Sequence, residues 1–310
     1  MSTGMSSTDT DGRSRSLPMA VVAGMRPRQW LKNVLVFAAP LAAGSIFQPD
    51  VLIPSIVAFV AFCLIASATY LVNDVRDVEA DRAHPTKRLR PIAAGDLPAS
   101  AALAVAGVLA VAALGLALWV NIGLFGVLLA YAVFTLAYSM FLKHEPVIEL
   151  ALLAMGFLLR AIAGGVAAEL PISPWFLIVA GFGSLFMASG KRFSELVRSD
   201  ADAISGTDVS ARRRSLDGYT TSYLRFVWGS AAAVTMTAYC LWAFEVSQQP
   251  ASLPWAQWSV LPFVLAILRY AVDVDRGSAE APEDVVLHDR ALLAMGAIWL
   301  VLFALGALGA

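Results

Sequence analysis

Apolar residues in this chain fall into long uninterrupted blocks separated by short polar connections. Nine of these blocks are long enough to cross a hydrocarbon core of ~30 Å. They lie at about 30 to 47, 52 to 72, 99 to 120, 122 to 142, 147 to 168, 172 to 190, 225 to 247, 255 to 272 and 290 to 309. The pattern predicts an all-α bundle of nine transmembrane helices, with connections as tight as the single residue Asn121. Residues 1 to 24 are expected to form a disordered cytoplasmic tail. The first 17 are dominated by Ser, Thr, Asp and Arg and contain no apolar segment of the kind a signal peptide needs. Residues 25 to 310 are expected to form one transmembrane domain. Polar stretches at 73 to 98 and 191 to 224 interrupt the blocks, and a third at 273 to 290 is expected to be a solvated cap.

Composition agrees: only 15% of the 310 residues are charged, and the mean hydropathy is +0.72. These values exclude a soluble globular domain and imply a polytopic membrane protein in contact with lipid. Charge then orients it. Twenty-one of the 22 Lys and Arg fall in 1 to 32, 73 to 98, at Lys143, in 191 to 225 and in 269 to 290, while the alternate connections carry none. By the positive-inside rule this places the N-terminus and the polar caps in the cytoplasm and the C-terminus outside a plasma (inner) membrane. Nucleic acid is excluded as a partner, since no basic domain with an aromatic platform is present. Cys63 and Cys240 lie inside apolar blocks and read as packing residues.

The candidate chemistry begins directly after the second block. If 73 to 81 is helical, Asn73, Asp74, Asp77 and Asp81 fall within about 100° of one another, and Glu79 points away. Three carboxylates and an amide on one face suit an oxygen-ligated Mg2+ that shares its coordination with substrate phosphates. Lys87, Arg88 and Arg90 follow closely enough to grip phosphate oxygens. Arg160, alone within a span, is costly at mid-membrane and needs a partner, for which a ligand phosphate is the favoured reading. Glu149 lies on the same helical face ~16 Å away, whereas Glu145 reads as surface charge. Lys191 closes the sixth span and is a further phosphate ligand candidate. The segment MRPRQWLKN reads first as an interfacial anchor around Trp30, with Lys32 and Asn33 as candidates to face the cavity. The triplet Arg212, Arg213 and Arg214 is expected to face solvent or headgroups.

The spacing NDxxDxxxD at Asn73, Asp74, Asp77 and Asp81 resembles the first signature of the UbiA-type membrane prenyltransferase superfamily. A second signature, an aspartate pair near the start of the fifth helix, is represented here only by Glu145 and Glu149. The strings RPRQWLKN, YLVNDVRDVEADRAHPTKRLRPIAAG, LLRAIAGGVA, SLFMASGKR, YLRFVW and LRYAVDVD resemble the branch of that superfamily that handles phosphoribose. The resemblance covers residue 25 to the end. It implies a nine-helix bundle with a cytoplasmic cap and a Mg2+-dependent phosphoribosyltransferase. Such an enzyme moves 5-phosphoribose from phosphoribosyl pyrophosphate to a polyprenyl (decaprenyl) phosphate, releasing pyrophosphate, for the lipid-linked arabinose donor of cell-wall arabinan. A homo-oligomer is compatible with it. The acceptor is a phosphate monoester with a second pKa of ~6, so it is already anionic and no general base is required. The alternative within the superfamily is transfer of an isoprenyl group from its diphosphate to an aromatic or quinone precursor, against which the altered second signature argues. A transporter or flippase would need polar residues on both membrane faces, and the outer connections are nearly bare.

Overall fold

The structure, a computed structural model, describes residues 15–204, 216, 218–246, 253–279 and 282–308, all helical or irregular. Its elements, in order, begin with α1 (Leu17–Met25), a 3₁₀ segment η1 (Pro27–Phe37), α2 (Ala38–Ala42) and α3 (Pro49–Arg76). A cap follows, made of α4 (Val78–Ala83), the 3₁₀ turn η2 (Lys87–Leu89) and α5 (Pro91–Ala94). Next come α6 (Ala99–Val120), α7 (Ile122–Ala137) with a π-helical turn Tyr138–Leu142, and α8 (Ile148–Ala167). The chain continues through α9 (Pro174–Ile204), α10 (Thr221–Val246), α11 (Trp255–Asp275), α12 (Pro282–His288) and α13 (Arg290–Leu308). Arg212 to Arg214 and residues 1 to 14 lie outside the described residues.

Eight helices among the described residues are long and apolar enough to cross a membrane: α3, α6, α7 with its π turn, α8, α9, α10, α11 and α13. Consecutive long helices pack side by side, so the chain winds up and down as a multi-pass membrane protein. Two apolar cores result. Phe62, Ile65, Ala113, Leu124, Leu128 and Leu159 join α3, α6, α7 and α8. Phe186, Phe193, Leu224, Tyr270 and Leu292 join α9, α10, α11 and α13, and Leu150 brings α8 into that second core. Large apolar side chains on the outside, such as Val111 at 74% and Leu261 at 66% exposed, suit a lipid-facing surface. The tight connection expected at Asn121 is present. Its Oδ1 caps α7 by accepting from Leu124 N–H at 2.7 Å, and its amide donates to the last carbonyls of α8 at Val166 (3.0 Å) and Ala167 (3.1 Å).

Two expectations change. The run 30 to 47 is not one α-helix: it is η1 followed by α2 and turns. Arg28, Gln29, Lys32 and Asn33 make the first turns polar, and close approach to α8 constrains the backbone. A Cβ on Gly164 would overlap the Val36 carbonyl oxygen, so only glycine lets α8 and η1 approach this closely. Residues 17 to 24, expected in the disordered tail, belong to α1. Ala20 is fully buried against Leu71, Ile92 and Leu97, which anchors α1 beneath the cap formed by α5.

Candidate active site

Helix α3 runs past the apolar block to Arg76, which puts Asn73 and Asp74 on its last turn. Asp77 then takes ψ 12° as the junction residue, and α4 restarts at Val78. The single face expected for the four motif residues is therefore broken at Asp77. Asp74 and Asp81 are each 3% exposed and share one nitrogen, Arg90 Nη1, at 3.1 and 2.7 Å. Arg26 makes a second ion pair with Asp74. Asp77 stands further out, with Lys143 Nζ at 3.5 Å. Glu79 is exposed, as its place on the helix implied. Arg90 is delivered by the turn after α4. His84 Nδ1 accepts from Thr86 N–H at 3.2 Å, and Arg90 directly precedes Pro91, where α5 docks on the cap.

Arg26 is the residue that sequence reasoning passed over. It sits in the left-handed region at φ 55°, uncommon for a residue with a side chain, where α1 turns into η1. Its guanidinium lies 5.1 Å from the Tyr70 ring centroid. Trp30 donates to Ser67 Oγ at 3.1 Å. Of the remaining cations, Lys87, Lys32 and Lys191 are half-buried and Arg88 is exposed.

Glu149, on the first turn of α8, is 1% exposed and ion-paired with Arg192 of α9. Arg192, 3% exposed, also binds Glu195 and donates to the Tyr138 hydroxyl at 3.2 Å. Tyr138 in turn donates to Glu149 Oε1 at 3.4 Å. Arg192, the neighbour of the candidate Lys191, thus closes this cluster, and its pairing with Glu149 could not be read from the sequence. Glu145 is exposed. The approach to α8 is strained: Val147, β-branched, holds φ 68°. The Tyr219 hydroxyl fixes it by accepting Val147 N–H at 2.9 Å. Burial pushes the Tyr219 pKa up to about 12, so that hydroxyl stays neutral at physiological pH.

Arg160 lies deeper, 6% exposed. It donates to Asn33 Oδ1 (2.8 Å), Tyr131 OH (2.6 Å) and the Gly156 carbonyl (2.6 Å), and sits 4.6 Å from the Tyr131 ring centroid. The partner its position demanded is a set of neutral groups. Asn33 faces the interior as expected, 1% exposed, and its amide contacts Cys63 Sγ at 3.3 Å.

The motif residues fit a divalent ion by donor chemistry. They are oxygen ligands on a hard-cation pattern, and Asn73 Oδ1 is buried with no hydrogen-bond partner among the described residues. Their arrangement is one of ion pairs. Among the described residues no three His, Cys, Asp or Glu converge on a metal-sized point.

A bundle of membrane helices with an NDxxDxxxD segment buried at one end defines a class. A sequence profile of the UbiA prenyltransferase family matches residues 33–294, and the chain belongs to that family. Solved structures agree on the fold. A UbiA homolog from Archaeoglobus fulgidus bound to DMAPP and Mg2+ superposes with a TM-score of 0.68 at 14% identity, covering 93% of this chain and 99% of that one. The same homolog bound to GPP and Mg2+ gives 0.65 at 16% identity, covering 94% of this chain and 100% of that one. Within the family, the chain is 48% identical over 304 residues to the decaprenyl-phosphate phosphoribosyltransferase of Mycolicibacterium smegmatis (94% of this chain, 93% of the relative). It is 49% identical over 298 residues to that of Corynebacterium glutamicum (93% and 88%).

Proposed function

We propose that this protein transfers the 5-phosphoribosyl group of phosphoribosyl pyrophosphate to a polyprenyl phosphate such as decaprenyl phosphate, releasing pyrophosphate. The observation that carries this is near-half identity, over more than nine-tenths of the chain, to the mycobacterial and corynebacterial decaprenyl-phosphate phosphoribosyltransferases. In the reaction an oxygen of the lipid phosphate attacks ribose C1, and the C1–O bond to pyrophosphate breaks with its electron pair. Asn73, Asp74, Asp77 and Asp81 are the residues that would hold Mg2+, which when bound neutralises charge on the leaving pyrophosphate. Lys87, Arg88 and Arg90, with Lys32 and Lys191, supply cations for the donor 5-phosphate, the diphosphate and the acceptor phosphate. Asn33 and Arg160 extend this polar lining into the bundle. The site works from the cytoplasmic side of the plasma membrane, where activated phosphate donors are made, and the product feeds the lipid-linked arabinose donor of cell-wall arabinan.

Glu149 speaks against isoprenyl transfer from a site with two open acidic clusters, because its carboxylate is ion-paired with Arg192. Purified protein incubated with labelled phosphoribosyl pyrophosphate, decaprenyl phosphate and Mg2+ is expected to form labelled lipid. Asp77→Ala should lower the rate by at least ~100-fold, within the range for loss of one charge-stabilising group. Absence of lipid product, or full activity in that variant, rejects the reading. A parallel reaction with a prenyl diphosphate and an aromatic acid tests isoprenyl transfer.

A further inference from the structure

The acidic motif is electrically balanced by the chain itself. Asp74 meets Arg26 and Arg90, Asp81 meets Arg90, and Asp77 meets Lys143. Arg90 Nη1 lies between the carboxylates of Asp74 and Asp81, within hydrogen-bond distance of both, where an ion shared by the two would also have to be held. The two carboxylates are almost completely removed from solvent, so a cation that displaces Arg90 receives little help from water.

A bare divalent ion gains little at such a site. It brings two positive charges to carboxylates already neutralised, and it leaves two guanidinium groups without their partners. A divalent ion accompanied by a diphosphate is different. The anion offers new acceptors to the same guanidiniums, whose planar forks suit phosphate oxygens as well as carboxylates. Ion pairs are then exchanged rather than lost. Both arginines have room to turn, since their side chains are 28% and 29% exposed. Arg26 swings from the α1–η1 junction and Arg90 from the turn ahead of α5, so neither movement disturbs a long helix.

We propose that Arg26 and Arg90 are resident counter-cations that hold Asp74 and Asp81 closed to a bare divalent ion and yield them only to a metal–diphosphate pair. Metal and donor therefore bind as one unit, and Arg26 joins the residues that contact the donor's diphosphate. The proposal rests on reading Asp74, Asp77 and Asp81 as the metal's carboxylates.

The test is binding, not turnover. Full-length protein in lipid nanodiscs is titrated with radiolabelled Mn2+ at controlled free-ion concentration, with and without pyrophosphate, and bound label is counted after rapid filtration. The wild-type protein is expected to hold Mn2+ at least ~10-fold more tightly with pyrophosphate present. Labelled pyrophosphate must show the same factor for added Mn2+, because coupling between two ligands is reciprocal. Arg90→Gln should bind Mn2+ alone about 10-fold more tightly than wild type, the worth of one charge-assisted pair, and its coupling factor should fall toward one. Arg26→Gln, which frees only Asp74, should move both quantities in the same direction by less. Asp81→Asn should abolish tight Mn2+ binding in either condition. Equal Mn2+ affinity with and without pyrophosphate in the wild type overturns the proposal, as does unchanged coupling in Arg90→Gln. Should Arg90→Gln fail to give a monodisperse protein, the wild-type coupling factor and Arg26→Gln decide. Coupled binding without ribosyl-lipid product rejects the phosphoribosyl reading alone, and product formation with uncoupled binding rejects this proposal alone.

Discussion

At the scale of single residues, Arg160 shows how a membrane interior accommodates a charge with neutral hydrogen-bond partners, no carboxylate lying at hydrogen-bond distance among the described residues. Its contacts divide the guanidinium among an amide oxygen, a phenol and a backbone carbonyl, with the Tyr131 ring against its face. Hydrogen bonds to a charged group contribute about 1.5–3 kcal/mol each. Tyr131→Phe keeps the ring and removes one such bond, so it should destabilise the protein by about 2 kcal/mol. Arg160→Lys should cost more, because a single ammonium cannot reach Asn33, Tyr131 and Gly156 in their present places. Thermal unfolding in detergent checks the order; equal stability of Tyr131→Phe and wild type would remove the phenol from the account. That Arg160 required polar company was legible from one cation in an apolar run. Which groups supply it was not, since Asn33 lies 127 positions away in the chain. Arg26 was hidden for the same reason: beside Trp30 it has the composition of a membrane anchor, and only its contact with Asp74, 48 positions on, shows another use.

At the scale of elements, the ends of helices carry the functional charge, and pairs of charges tie the helices together. Glu149 begins α8 and Arg192 lies in α9, and the ion pair between them is closed to solvent on both sides. Breaking a buried pair from one side leaves an uncompensated charge and costs about 3–5 kcal/mol, whereas removing both partners costs far less than twice that. Glu149→Gln is the milder single change, since Arg192 retains Glu195. The double variant Glu149→Gln with Arg192→Gln should be more stable than the sum of the two singles implies, by about 1–3 kcal/mol. Strict additivity in unfolding free energies would show that the pair does not join the two helices. The extents of α6, α7 and α8 could be read from apolar runs because a run and a helix coincide there. The 3₁₀ form of η1 could not, because its apolar residues would satisfy either helix. Its close approach to α8 at Gly164, where a Cβ would overlap the Val36 carbonyl oxygen, is a tertiary fact that no apolar run encodes.

For the whole molecule, the two ends of the bundle and the parity of the chain must agree. α1 packs at the Asp74 end, where Ala20 meets Leu71, while the C-terminal end of α13 reaches Gly44, just ahead of the start of α3 at the opposite end. The described residues start and finish at opposite ends of the bundle, which takes an odd number of passes, and the eight long helices among them account for an even number. The missing pass is residues 26 to 48. They start with Arg26 on Asp74, near the end of α3, and finish with Gln48 at its beginning. At ~2.0 Å per 3₁₀ residue and ~1.5 Å per α residue, η1 and α2 together extend about 30 Å, the thickness of a hydrocarbon core. Beside the eight long helices, this segment is a candidate ninth crossing among the described residues, in a conformation the apolar run did not predict. Parity relates the two ends to each other, and the positive-inside rule predicts that the cation-rich Asp74 end is the one that faces the cytoplasm. In a variant lacking Cys63 and Cys240, a cysteine at Glu79, exposed at the Asp74 end, should react with a membrane-impermeant maleimide only after cells are permeabilised. A cysteine at Asp50, exposed at the start of α3, should react in intact cells. The opposite pattern would place the acidic motif outside, away from cytoplasmic phosphoribosyl pyrophosphate, and would overturn both the orientation and the reaction proposed for this site.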